Sequence, residues 1–328
     1  MKILYVTGHS ADYVQDLTYS GLVKLLGVKN VVDYPWNQKF HVPYKDYPRN
    51  LGYTKGSFFS SIFNRSIKNI DMVVVGASKV DCFKSYLEII DEIPAGIPTI
   101  FIDGGDQPGI GDDIALAYHE AELYKNVVEI RPFDYIFKRE YLIDATYETN
   151  VFPFPMSFNL DRLPKKMNIP KKYDVSFWAV ESWPIRTHAL EILEDKFDCA
   201  QNGTMRNQVF KNYKRKGTFY LEELSACNIV LNLRGGGWDT MRYWEVPAVN
   251  TFQLSQKPGI VIPNNFEDKK NIVFCQNDLS DLEDLCTYYL KHEEQRETIA
   301  REGFAHLCEF HTDLARAKYI IDTVKKSQ

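Results

Sequence analysis

Within residues 231–251, LNLRGGGWDTMRYWEVPAVNT, an apolar run ends in an arginine and three consecutive glycines, and a segment rich in charged and aromatic residues follows. That order of residue types suits an anion. Cys227 to Leu233 is short, apolar and partly β-branched, the composition of a buried strand. Gly235, Gly236 and Gly237 permit backbone angles closed to other residues and let a ligand come close to the main chain. Asp239 or Thr240 is a suitable N-cap for a helix through Met241, Arg242, Tyr243, Trp244 and Glu245. The free N–H groups and partial positive charge of such a helix start attract a phosphate. Arg234 and Arg242 would add planar, forked donors that match its oxygens. The bland alternative is a glycine turn flanked by solvated arginines.

Those residues need elements to hold them, and the chain supplies a regular alternation. In the first half, strand patterns over 2–7, 28–32, 72–76, 98–102 and 135–137 alternate with helical ones over 12–26 and 81–90. Apolar strands alternating with helices imply a parallel sheet covered on both faces, a Rossmann-like domain. Residues 33–56 are aromatic, proline-punctuated and irregular, as functional loops often are. The proline- and lysine-rich stretch 152–172 is the best domain boundary. Beyond it the rhythm restarts. Strands are expected over 173–179, 196–201, 227–233, 259–262 and 271–274, with helices over 185–195, 206–216, 219–226, 278–291, 293–309 and 312–326. The expected fold is α/β: two Rossmann-like parallel-sheet domains facing a cleft, over 1–160 and 161–310, with the 311–328 helix packing back towards the first.

Ligands of open α/β sheets sit at the carboxyl ends of the strands. His9, Ser10 and Asp12 follow the first strand, Asp103 and Asp106 the fourth, and Gly203 and the Arg234–Thr240 segment follow strands of the second half. This places an anion site on the second domain and proton-transfer groups, His9 or Asp106, on the first.

Length and composition bound the possibilities. At 328 residues the chain is long for one hydrophobic core, so two domains of roughly 150 residues are expected. A net charge of −5 disfavours a dedicated nucleic-acid binder. Two basic clusters, Lys165/Lys166/Lys171/Lys172 and Lys211/Lys214/Arg215/Lys216, read as solvated faces. If either is used, an anionic membrane surface is the expected partner, making any membrane contact peripheral. The six cysteines show no zinc-like spacing and read as reduced thiols of a cytoplasmic protein. The N-terminus lacks the apolar run of a signal peptide, and no stretch approaches a membrane span. The opening segment VTGHSADY holds a single glycine, so a dinucleotide fingerprint is absent, as are a Walker loop and any Asp-x-Asp triplet. A two-domain enzyme needing no metal cofactor fits best.

The LRGGGWDTMRYWE segment and the tail QRETIAREGFAHLCEFHTDLAR (295–316) resemble the C-terminal domain of CgeB-like, group-1-type glycosyltransferases of the GT-B fold. Arg234, Gly235, Gly237, Asp239, Thr240, Arg242, Tyr243, Trp244 and Glu245 match that motif, then His311, Thr312 and Arg316. IFIDGGD (100–106) and FDYIFKREYL (133–142) are similar to the family's first half. The resemblance implies a nucleotide-sugar donor on the second domain and a hydroxyl acceptor (glycan, lipid-linked or protein) on the first, in cell-surface glycan or glycoconjugate synthesis. It implies that Glu245 takes the ribose hydroxyls, because a carboxylate accepts from two vicinal hydroxyls at once. Arg186, early in the second domain, matches an arginine that contacts the diphosphate. Related retaining enzymes carry a second acidic residue where Gly237 stands, with Asp239 two positions on, which leaves the stereochemical outcome open. His9 stands where inverting members place a base, and an imidazole needs little tuning for that task. Asp106 and Asp103 are its competitors, while His311 and Arg316 are expected to be structural. Rival readings are a nucleotide-sugar epimerase or hydrolase, a catalytically silent binding protein, and a DNA-glycosylating enzyme.

Overall fold

The computed structural model describes residues 1–44, 47–63, 66–165, 167, 169–177, 183–193, 196–197 and 217–326. The chain divides into two α/β units, Met1–Asn159 with Asp313–Gln328, and Leu160–Thr312. Both units are built on a parallel sheet, as the strand–helix alternation of the sequence predicts.

The first unit contains β1 (Ile3–Val6), α1 (Tyr13–Leu26), β2 (Val31–Tyr34), α2 (Gln38–His41), α3 (Ser57–Phe63), β3 (Met72–Val75), α4 (Val80–Leu87), β4 (Thr99–Asp103), α5 (Ala121–Ile130), β5 (Tyr135–Lys138) and β6 (Val151–Pro153). The six strands among its described residues form one parallel sheet in the order β2-β1-β3-β4-β5-β6. Every residue of β1, β3 and β4 is buried, because helices cover both faces and no polar alternation is needed. The crossovers reverse direction between β1 and β3, so the carboxyl ends of these two strands flank the place where doubly wound sheets bind ligands. Asp12 caps α1 by accepting the Gln15 N–H at 2.9 Å. The 33–56 segment, irregular by its sequence, holds the short helix α2, and α3 follows it. β6 also lacks a sequence signal: its three residues VFP sit at the edge of the proline-rich stretch, with too little pattern to mark a strand.

The second unit contains β7 (Tyr173–Ser176), α6 (Pro184–Leu193), α7 (Thr218–Ser225), β8 (Cys227–Asn232), α8 (Met241–Ala248), β9 (Phe252–Gln256), β10 (Val273–Cys275), α9 (Leu282–Lys291) and α10 (Glu293–Phe310). Its described strands are parallel, in the order β10-β9-β8-β7. The strand expected over 259–262 is instead β9, at 252–256. FQLSQ does not look like a strand because of its polar residues, yet all five positions are buried. Ser255 accepts from Asn232 at 3.0 Å and Gln256 from the Arg234 N–H at 3.0 Å, which offsets the burial of these two, whereas the Gln253 amide meets no partner among the described residues. Except for 196 and 197, the expected elements at 196–201 and 206–216 lie outside the described residues, as do Gly203 and the 211–216 basic cluster.

The last helix, α11 (Asp313–Lys326), belongs to the first unit and lies along α1. Lys24 pairs with Asp313 at 2.8 Å, and the Asp313 carboxylate also accepts from Ser20 at 2.8 Å. A Cβ on Gly21 would stand 2.1 Å from the Asp313 carbonyl oxygen, so only glycine permits this approach. Arg316 donates to the carbonyls of Pro155 and Met156 at 2.9 and 3.1 Å, fastening the helix to the segment after β6.

Candidate functional site

β8 ends at Asn232, and the chain turns through Leu233 to Thr240 before α8 begins. The turn is built around three guanidinium groups. Arg186, in the first turn of α6, lies beneath it: Nε donates to the Arg234 carbonyl at 2.9 Å and Nη2 to the Leu233 carbonyl at 3.2 Å. Gly235 makes room for this arrangement, since a Cβ there would stand 2.8 Å from Arg186 Nη2. Its role is therefore space for an arginine. The Gly235 N–H is spent on the Gly237 carbonyl at 3.1 Å, closing the turn on itself.

Arg242, in the first turn of α8, reaches the same place. The Arg186 and Arg242 guanidinium carbons lie 5.6 and 5.2 Å from the centroid of one ring, that of buried Phe177. Both arginines are buried, at 6% and 7% exposure. Burial first, and the Arg242 cation second, push the Arg186 guanidinium down to about 9. Two like charges held close in a poorly solvated place attract an anion strongly.

The third guanidinium, Arg234, is gripped by two indoles, 5.3 Å from the Trp183 centroid and 4.6 Å from that of Trp238. Such stacking orients the fork and leaves its edge for hydrogen bonding. Among the described residues, no acceptor meets the buried Nε of Arg234. Trp238 packs on Gly259, where a Cβ would come within 2.9 Å of the indole nitrogen.

The remaining motif residues divide between the site and its frame. Thr240 is the N-cap of α8 by backbone position, but its side chain makes no capping bond; the hydroxyl donates to Asn232 Oδ1 at 2.5 Å and fixes the strand end to the helix start. Asp239 is buried and accepts the indole N–H of Trp244 at 2.7 Å, so one oxygen serves the frame. Glu245 is buried one turn further on, and its Oε2 accepts from the Tyr220 hydroxyl at 2.9 Å. Tyr220 also lies close enough to Arg186 to favour its charge. His311 is fully buried, donates to the Asn264 carbonyl at 2.8 Å and packs 4.9 Å from Trp244, a structural role. Phe177, Trp183, Trp238 and Tyr220 are absent from the residues that sequence reasoning selects. Aromatic residues beside arginines were the available signal, but three of these four lie outside the local motif.

In the first unit, His9 is exposed after β1. The surrounding loop is firmly made: Asp81 accepts the Ser10 N–H at 2.8 Å, and Gln15 accepts the Gly8 N–H at 2.8 Å. After β4, Asp113 accepts the N–H groups of Asp106 and Gln107 at 3.1 and 3.0 Å. A Cβ on Gly105 would lie 1.8 Å from that carboxylate, so glycine is required. Asp106 is half-exposed, at 54% for its side chain, and pairs with Arg139. Asp103 differs in being wholly buried. It pairs with Lys138 at 3.0 Å and accepts the Gly111 N–H at 3.1 Å, and burial raises its carboxyl despite the lysine. Its contacts with Lys138 and Gly111 hold the loop. Asp12 and Asp16 are also buried, Asp12 4.0 Å from Lys79 and Asp16 2.8 Å from Lys39. Burial pushes the Asp16 carboxyl up to about 6.

Among the described residues there is no group of three histidine, cysteine or acidic side chains able to hold a metal ion, and no helix is long and apolar enough to cross a membrane.

Residues 186–322 match the model of a family described as glycosyl transferase-like. The comparison with curated proteins returns no match. Among solved structures, the fold is similar to Anabaena HepE in complex with UDP and glucose, with a TM-score of 0.60, 10% identity and 99% of each chain covered. It is similar to an alpha-glucosyltransferase in complex with UDP and a 13-mer DNA, with a TM-score of 0.59, 10% identity and 99% of each chain covered. A third is sucrose-phosphate synthase from Thermosynechococcus elongatus, with a TM-score of 0.58, 11% identity and coverage of 99% of this chain and 98% of that one.

Proposed function

We propose that this chain, a glycosyltransferase by its glycosyl transferase-like match over residues 186–322 and its GT-B fold, moves a sugar from a nucleoside-diphosphate donor on its second unit to a hydroxyl acceptor. The observation that carries the donor assignment is the gathering of Arg186, Arg234 and Arg242 around the turn that follows β8. A departing nucleoside diphosphate gains negative charge as the glycosidic bond breaks. Preorganised cations in a poorly solvated place stabilise that charge more than the ground state, and such electrostatic stabilisation supplies much of the rate enhancement of many enzymes. The three guanidinium groups would carry this charge without calling on a metal cofactor. HepE and the alpha-glucosyltransferase were each solved with UDP, so UDP is the first nucleotide to try.

In this reading Arg186 and Arg242 clamp the diphosphate, Arg234 lies along its edge, and the N-terminus of α8 adds backbone dipoles. Glu245, whose Oε2 accepts from the Tyr220 hydroxyl, is the proposed acceptor for the ribose hydroxyls. Asp239, Thr240 and the glycines 235 to 237 shape the turn, and Gly203 remains part of the proposed donor site. His9 is the proposed base on the first unit, with Asp106 as its competitor. The transfer proceeds by loss of the acceptor proton to that base, attack of the oxygen on the anomeric carbon, and departure of the diphosphate. The acceptor is proposed to be a glycan, lipid-linked or protein hydroxyl in cell-surface glycan or glycoconjugate synthesis, in the cytoplasm.

The test is thermal melting with UDP, GDP, CDP, dTDP and their sugars. A ligand at a hundredfold its Kd stabilises the native state by about 2.7 kcal/mol. One nucleoside diphosphate should raise the melting temperature of the wild type and leave Arg234→Ala unmoved. No shift with any nucleotide refutes the donor site, and donor consumption at the same rate without an acceptor points to a hydrolase or epimerase.

A further inference from the structure

α3 is built inside out for a helix on a water-facing surface. Its sequence, SFFSSIF, turns serines towards the unit: Ser57 is buried, donates to the Thr54 carbonyl at 2.8 Å and lies 2.9 Å from His41 Nδ1, while Ser61 accepts the Trp36 indole N–H at 3.0 Å. The opposite side presents Phe58, Phe59, Ile62 and Phe63, the outermost being Phe59 at 72% and Phe63 at 84% exposure. Single exposed apolar residues are ordinary, but four together on one short helix are not.

The platform is also held rigidly from beneath. His41 Nε2 lies 3.0 Å from Asp33, and the Trp36 ring stacks on His41 at 5.6 Å. The side chains that could have been turned outward are thus committed inward, and the phenylalanines are fixed facing solvent.

Charge identifies what covers them. Between Asp46 and Asp71, the latter paired with the N-terminal ammonium, the sequence has Arg49, Lys55, Arg65 and Lys68 and no acidic residue, in a chain whose net charge is −5. Lys55 precedes the phenylalanines in sequence and Lys68 follows them, and both are exposed. The Lys2 ammonium joins this margin by donating to the carbonyls of Ser66 and Lys68. A second copy of the chain would bring like charges together, which disfavours self-association through this face. Projecting aromatic side chains within a cationic margin match an anionic lipid surface, whose acyl boundary takes the rings and whose headgroups pair with the lysines.

We propose that α3 is a membrane-docking element that seats the first unit on an anionic lipid surface. This contact is independent of the donor site. The experiment is co-sedimentation of the full chain with vesicles of equal parts phosphatidylglycerol and phosphatidylcholine, and with vesicles of phosphatidylcholine alone. The wild type should partition onto the anionic vesicles and release in high salt. Phe59→Gln/Phe63→Gln should lower partitioning about a hundredfold, by tenfold or more for each ring removed from the acyl boundary. Lys55→Glu/Lys68→Glu should lower it at least tenfold at low salt. Ile130→Gln, an exposed apolar residue on α5, should have no effect. Unchanged melting of the phenylalanine variant shows that folding is intact; should it shift, Phe63→Gln alone repeats the test. The proposal is overturned if the wild type ignores the anionic vesicles, if the phenylalanine variant binds as tightly as the wild type, or if sedimentation velocity instead finds a dimer that the variant dissolves. Nucleotide-induced melting shifts should be the same in wild type and variant, so failure here leaves the donor assignment standing.

Discussion

Replacing Arg186 by methionine should separate stability from ligand binding. A guanidinium pushed down to about 9 from the ordinary arginine range carries, at about 1.4 kcal/mol per tenfold change in proton affinity, on the order of 5 kcal/mol of unfavourable charge burial in the unliganded fold. Against that stand its hydrogen bonds to the carbonyls of Leu233 and Arg234, each worth about 1.5–3 kcal/mol for a charged donor. Methionine keeps much of the apolar stem over Phe177 and removes both the cost and the gain, which nearly cancel. The unfolding free energy of Arg186→Met should therefore stay within about 2 kcal/mol of the wild type in denaturant titrations. Nucleoside-diphosphate affinity, measured by calorimetry, should fall at least a hundredfold, about 3 kcal/mol.

The pH dependence supplies a second reading of the same charge. A base whose proton affinity is lowered by folding is a penalty while it remains charged, below about pH 9. The unfolded chain holds that proton to much higher pH, so the stability of the wild type relative to Arg186→Met should begin to rise near pH 9 and keep rising above it. Bound nucleotide should flatten the difference, because an anion restores the charged form. Destabilisation beyond about 4 kcal/mol, or unchanged nucleotide binding, would refute the view that Arg186 is a strained cation kept for a ligand.

Other residues yield sharper single tests. Glu245→Gln, which keeps the shape and the contact with Tyr220, should weaken UDP binding about tenfold but leave inorganic pyrophosphate inhibition unaltered, since only ribose hydroxyls lose their acceptor. With a donor and acceptor in hand, His9→Ala should lower kcat by about a hundredfold or more; if Asp106→Asn does so instead, the base is Asp106. Asp16 is raised by burial to about 6, so the folded state binds a proton that the unfolded chain releases near pH 4. Stability should accordingly decline between about pH 4 and 6, and Asp16→Asn should abolish that slope in melting curves.

Much of this organisation is readable in the residues, for identifiable reasons. KILYVT, MVVVG and CNIVLNL are apolar without alternation because both sheet faces are covered, and such runs have few other structural uses. α1 is legible from its apolar spacing over 12–26, and the structure adds that Asp12 caps it. β9 escapes sequence reasoning because it buries three polar residues, two of which, Ser255 and Gln256, find their partners more than twenty positions earlier in the chain, at Asn232 and Arg234. The same limit governs the site. Arg186, Arg234 and Arg242 can be named from residue type and motif, but the Phe177 ring that brings Arg186 and Arg242 together lies far from the glycine turn. Gly235 is the plainest case: local chemistry attributes it to a bound ligand, whereas its missing Cβ makes way for a side chain contributed by α6. α3 resists sequence reasoning because its apolar positions face outward, the reverse of the pattern used to recognise a surface helix.

The return of α11 to the first unit bears on how the protein is made. Emerging from the ribosome, residues 1–159 can form their sheet, but α1 lacks its neighbour until residue 313 has been synthesised. At roughly 5–20 residues per second that wait is on the order of 10–30 s, during which an apolar helix flank is open to chaperones or to other nascent chains. Gly21 and the Asp313 contacts with Ser20 and Lys24 then act as a latch that engages last, and the first unit matures only after the second has been translated.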